Sequence, residues 1–199
     1  MRRGETSYSA VVVVRRGGPK RLEDLSRLRV AWVAQESAAG YVVPRAHLAS
    51  VGLDPRTFFA AEAFYGTHYA VVDAVVAGRA DVGATFCTLT ARGERIVTGG
   101  WTDATGRSVR PVEVVTTLGP IPNDALVASP RLSGELTASI SRFFFQLEGR
   151  GRELATNLFF SAQFRVATGA HFDSLRHLVR LARARGYDAT RRPTLRPSG

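Results

Sequence analysis

The sequence is short of cysteine, lysine and long apolar runs, and each shortage excludes a class of protein. One cysteine, Cys87, in 199 residues excludes an internal disulfide and any zinc cage built on cysteines. No stretch approaches the about 18 apolar residues of a membrane-spanning helix; the longest unbroken run lies around residues 11–14. A secretory signal needs an apolar region of about 7–15 residues and a small-residue cleavage site. Here the segment after MRRGETSYS meets Arg15 and Arg16 too soon, so no signal peptide is read and Met1, as a true start, implies a cytoplasmic chain.

What is present is a globular composition, 45% hydrophobic and 22% charged, enough for one domain or two small lobes with a real core. The net charge of +10 invites a nucleic-acid reading, but its placement argues otherwise. Residues 1–21 carry +5, residues 171–199 carry +5, and the stretch between them is neutral. A groove tracking phosphates needs its charge on the folded body. One lysine beside 26 arginines looks like coding bias, so nucleic acid is not the expected partner.

Strand–helix alternation predicts an α/β fold with a mainly parallel sheet. Strands are expected at residues 8–14, 28–34, 58–64, 81–86, 112–117 and 125–128. Helices are expected over 40–51 (kinked or starting late because of Pro44), 66–77, 132–147, 151–160 and 172–185. A small helix or turn surrounds 22–28, and the Arg- and Pro-rich tail from 188 is expected to fray.

Catalytic signatures fail one by one. There is no GxxxxGK[ST], GxGxxG or HExxH. Ser37 follows a strand and precedes a helix, yet the nucleophile elbow needs glycine two residues to either side, where Gln35 and Ala39 stand. Ser37, His68 and Asp124 therefore share only the residue types of a triad. His47, His68, His171 and His177 lack metal-ligand spacing. No metal, cofactor or enzymatic activity is expected. What remains is anion-binding geometry: Ser37, Ala38, Ala39 and Gly40 open one helix after a strand, and Thr67 and His68 open another. Such turns present backbone amides and a positive helix end, and in a parallel sheet they share one edge.

These residues carry a family resemblance. The run LEDLSRLRVAWVAQESAAGYVVPRAHLASVGLDPRTFF, then FYGTHYAVVDAVVAGRADVGATF, then GPIPNDALVASPRL resemble, in order and approximate spacing, the phosphonate/phosphite/phosphate-binding proteins of bacterial ABC importers. The resemblance runs from about residue 8 to about 169. It implies a periplasmic-binding-protein type II fold, two α/β lobes joined by crossover strands that close on a ligand. It places the anion-gripping turn on Ser37, Ala38 and Ala39, the second-turn histidine on His68, the crossover aromatic on Tyr8 and an acidic residue on Asp124. Ala38 and Ala39 stand where the family has hydroxyls, so two side-chain donors are missing. Thr88 stands where aminoethylphosphonate binders carry a glutamate, so that ligand is not expected.

The resemblance also implies a division into residues 1–20 (first crossover and remnant of lobe one), 21–115 (a complete lobe two), 116–187 (return crossover and C-terminal helices of lobe one) and the tail 188–199. Lobe one is represented only in part, which leaves residues 11–14, 143–145 and 159–160 short of a covering layer. A misplaced start or split gene, a partner completing lobe one, and a degenerate standalone protein are the three explanations. The expected function is capture of a small oxyanion for an ABC importer permease in the periplasm or cell envelope. The alternatives are a sensory or regulatory domain of the same fold and a basic-tailed nucleic-acid or partner binder.

Overall fold

A computed structural model of the chain describes residues 7–90, 92–93, 95–103, 105–159 and 163–188. Its centre is a six-stranded sheet in the order β3-β2-β4-β1-β6, with β5 pairing β4. The strands are β1 (Ser7–Arg15), β2 (Arg29–Trp32), β3 (Ala61–Phe64), β4 (Val82–Leu89), β5 (Ile96–Gly99) and β6 (Val112–Pro122). The helices are α1 (Val43–Ser50), α2 (His68–Val76), α3 (Gly134–Phe145), α4 (Gly149–Phe159) and α5 (Asp173–Ala184).

The sheet is mixed rather than mainly parallel. β2 runs parallel to β3 and β4, whereas β1 is antiparallel to β4 and β6, and β5 to β4. A β-branched run looks the same in either direction, so only the pairing reveals it. β1 is also fully covered, contrary to the expected exposure of residues 11–14. Ala10, Val12 and Val14 pack with Trp32, Tyr41 and Leu48 on one face. Val11 and Val13 pack with Val72, Cys87 and Trp101 on the other. Alternate residues thus serve two cores, which is why the strand reads as unbroken valine.

α1 covers the first face. A single π-type turn, Ala38–Val42, leads into it, and Pro44 sits in its first turn, where a missing N–H costs nothing. α2 covers the second face with Val71, Val72, Ala74 and Val75 buried. Its approach depends on Gly83, where a Cβ would lie 2.9 Å from Val71 and Val75.

Two strands differ from expectation. β6 is one strand of 11 residues that runs through Gly119-Pro120 to Pro122, because Ser7 and Tyr8 pair with Pro122 and Ile121. Its prolines are tolerated at a sheet edge. Residues 125–128 have no neighbouring strand and form none; Val127 is 87% exposed. β5 was not anticipated, being four residues of which the last, Gly99, is the first of a glycine pair.

α5, expected among the helices of lobe one, packs on α1 within residues 21–115: Ala182 meets Ala46 and Ala49, small residues that let the helices approach closely. α3 buries no residue. Phe143, Phe145 and Phe159 are exposed, as expected, while Phe144 and Phe159 stack edge-on at 6.2 Å. Phe160 and the tail beyond Asp188 lie outside the described residues. No helix among the described residues is long and apolar enough to cross a membrane.

Candidate functional site

Parallel β2, β3 and β4 end at one edge of the sheet, and the turns after β2 and β3 project from it. Val33 ties the two turns together. Its amide donates to the Gly40 carbonyl at 3.2 Å, and its carbonyl accepts from the Gly66 amide at 2.9 Å. Antiparallel β1 begins at the same edge, with Ser9 opposite Cys87. β6 ends there, Ile121 opposite Tyr8, and Asp124 follows in the adjoining loop. Pairing alone therefore brings all the candidate residues to one edge.

The first turn is built on Ser37. Its extended backbone (φ −70°, ψ 114°) caps the helix, and its Oγ accepts from the Gly40 amide at 3.1 Å, which leaves the hydroxyl hydrogen for another acceptor. The opening amides of Ala38 and Ala39 have no upstream helical carbonyl to bond. Gly40 is required by packing: a Cβ would lie 2.3 Å from Val33 Cγ2 and 2.8 Å from Ser37 Oγ.

The second turn is built on Thr67, whose hydroxyl accepts from the Ala70 amide at 3.1 Å. His68 follows, half-buried, with Nδ1 3.1 Å from Thr85 Oγ1 on β4. Its ring stands edge-on to Phe86, centroids 5.0 Å apart. The histidine thus meets a hydroxyl on β4, and Ser37 is engaged as a helix cap. Burial pushes the Cys87 thiol up to about 11, which keeps it protonated and inert.

Of the remaining candidates, Tyr8 is half-buried against the first core and Asp124 is exposed. Thr88 is buried with its hydroxyl 2.7 Å from Thr98 Oγ1 on β5. Thr85, Val33 and Gly100 were not anticipated. Each acts through a partner distant in sequence, and no local pattern marks it. A groove of about 230 Å³ between α1, β6 and α5, lined by Val43, His47, Leu118, Pro120, Ser174 and Leu178, is mostly apolar and contains none of the candidate residues.

A family model described as "ABC transporter, phosphonate, periplasmic substrate-binding protein" matches residues 1–172. The chain belongs to this family. Members of the phosphonate substrate-binding family are periplasmic solute-binding proteins rather than enzymes. Solved structures agree in fold. A binding-protein component of an ABC phosphonate transporter from Pseudomonas aeruginosa is 19% identical with a TM-score of 0.65, over 92% of this chain and 60% of its own. A Xanthomonas citri protein bound to ATP is 18% identical with a TM-score of 0.72, over 94% and 70%. PhnD1 from Prochlorococcus marinus in complex with methylphosphonate is 16% identical with a TM-score of 0.57, over 88% and 66%. The chain thus spans about 60% of the length of the Pseudomonas protein. No curated protein sequence matches significantly. The architecture is that of the periplasmic binding proteins, an α/β sheet with helices on both faces, represented in part.

Proposed function

We propose that this chain captures a small phosphorus oxyanion, namely a phosphonate, phosphite or phosphate, and serves the permease of an ABC importer at the cell envelope. The observation that carries this reading is the junction at Val33, which holds two helix-opening turns side by side. One turn offers the Ser37 hydroxyl and the amides through Gly40; the other offers Thr67 and His68. All are hydrogen-bond donors suited to an oxyanion. Tyr8 and Asp124 flank the edge from the crossover strands. Two structural neighbours, solved with methylphosphonate and with ATP, hold ligands that share phosphorus-bound oxygens, which supports the ligand class.

Alanines at 38 and 39 shift the grip toward backbone amides, which do not depend on side-chain identity. Thr88, tied to Thr98, offers no counter-charge to a ligand ammonium, so ligands without an amine are favoured over aminoethylphosphonate. Isothermal calorimetry with methylphosphonate, phosphite, phosphate and aminoethylphosphonate tests the reading. Binding of one of the first three is expected, weakened about 10- to 100-fold by His68→Ala, the loss of a hydrogen bond to a charged group. No heat from any of them, with a chain shown to be folded by circular dichroism, would overturn it.

A further inference from the structure

His68 meets the sheet through one hydroxyl. Thr85 is fully buried, and its Oγ1 lies against the backbone of Gly100, where a Cβ would come within 2.2 Å of it. Among the described residues, the one side-chain partner of that hydroxyl is His68 Nδ1, at 3.1 Å. Phe86, edge-on at 76°, restrains the plane of the imidazole from the next position on the same strand.

A neutral imidazole carries its proton on one nitrogen only. A proton on Nδ1 would make Thr85 the acceptor and leave its own O–H hydrogen without a partner in a dry interior, which is costly. A bare Nδ1 lets the Thr85 O–H donate to it, and both groups are then satisfied. The proton in that case resides on Nε2. We propose that Thr85 is a positioning residue that holds neutral His68 in the Nε2–H tautomer, so that the ring offers an oxyanion a donor and not a lone pair.

The inference rests on the oxyanion reading for its purpose but not for its measurement. Long-range proton–nitrogen NMR of the ligand-free chain at about pH 8, where imidazole is neutral, reports the tautomer directly. The His68 signal is assigned by its loss in His68→Gln. The Nε2–H form is expected in the wild type and in Thr85→Ser, which keeps the hydroxyl, with a shift toward Nδ1–H in the isosteric Thr85→Val. An Nδ1–H wild type, or an unchanged tautomer in Thr85→Val, overturns the proposal. If Thr85→Val does not fold, Thr85→Ala, which also lacks the hydroxyl, takes its place with the same expected shift and the same overturning result. Calorimetry with methylphosphonate is expected to show affinity about tenfold weaker in Thr85→Val and within about twofold of wild type in Thr85→Ser. Equal affinity in all three overturns the role in binding. Absence of heat in the wild type with methylphosphonate, phosphite and phosphate removes the oxyanion reading, while the tautomer measurement still decides what Thr85 does.

Discussion

The Nε of Arg45 donates to the Tyr187 hydroxyl at 2.9 Å across 142 residues of chain, and the same guanidinium pairs with Glu62. Trp32 Nε1 donates to that Glu62 oxygen at 2.7 Å, and the rings of Tyr41 and Tyr187 flank the guanidinium. One buried cation thus fastens α1 to β2, to β3 and to the segment after α5. Burial alone would lower the Arg45 pKa, but Glu62 and Tyr187 more than offset it and hold the group charged.

Removing these contacts separately should rank them. Tyr187→Phe loses one hydrogen bond and should cost about 1 kcal/mol. Arg45→Met leaves Glu62 without its cationic partner and should cost about 3 kcal/mol, the lower end for a broken buried pair because Glu62 keeps some solvent and the Trp32 hydrogen bond. Urea denaturation measures both. Equal losses would mean that the ion pair contributes nothing.

Gly40→Ala should distort the first turn. Its Cβ would sit 2.3 Å from Val33, an overlap expected to cost about 1–3 kcal/mol. Gly134→Ala, with nothing within 4 Å, is the control and should leave the melting temperature unchanged or slightly raised. Oxyanion binding should fall in the first variant only, because displacing Val33 separates the two turns.

His47 should make the chain acid-sensitive. Burial beneath α5 and β6 lowers its pKa from the ordinary 6.5. The unfolded chain then binds the proton more readily than the folded one, so stability is complete above pH 6.5 and is lost as pH falls toward the folded value. Asp54, Asp73 and Asp81 have lowered carboxylate pKa values and act only below about 3.8, outside that window. His47→Gln should flatten the decline between about pH 7 and 5, measured by denaturation at a series of pH values. An unchanged slope would assign the effect to other groups.

The face of α3 and α4 should bind hydrophobic dyes. Phe143 on α3 is 62% exposed and Leu158 on α4 is 72% exposed, and large apolar side chains open to solvent offer dye-binding surface. Phe143→Ser with Leu158→Ser should reduce bis-ANS fluorescence while changing stability by less than about 0.5 kcal/mol each. A large loss of stability would show that the face is covered in solution.

Capping and turn chemistry was legible in the amino acids because it acts over three or four residues. Ser37 and Thr67 begin their helices, Gly78 (φ 73°) ends α2, and the order of strand, small-residue turn and helix follows from local pattern. The strand at 125–128 failed because a short apolar run, here Ala125-Leu126-Val127-Ala128, forms a strand only where a neighbour offers its ladder.

By itself, then, the sequence determined the local units, their order and the residue types at two anion-suited turns. The tertiary structure decided that β1 runs antiparallel beside β4, that Val33 joins the turns, and that Thr85 lies beneath His68. The physical reason is range: burial and hydrogen bonding between segments reward whichever residues meet, and no pattern within one segment names its partner in another.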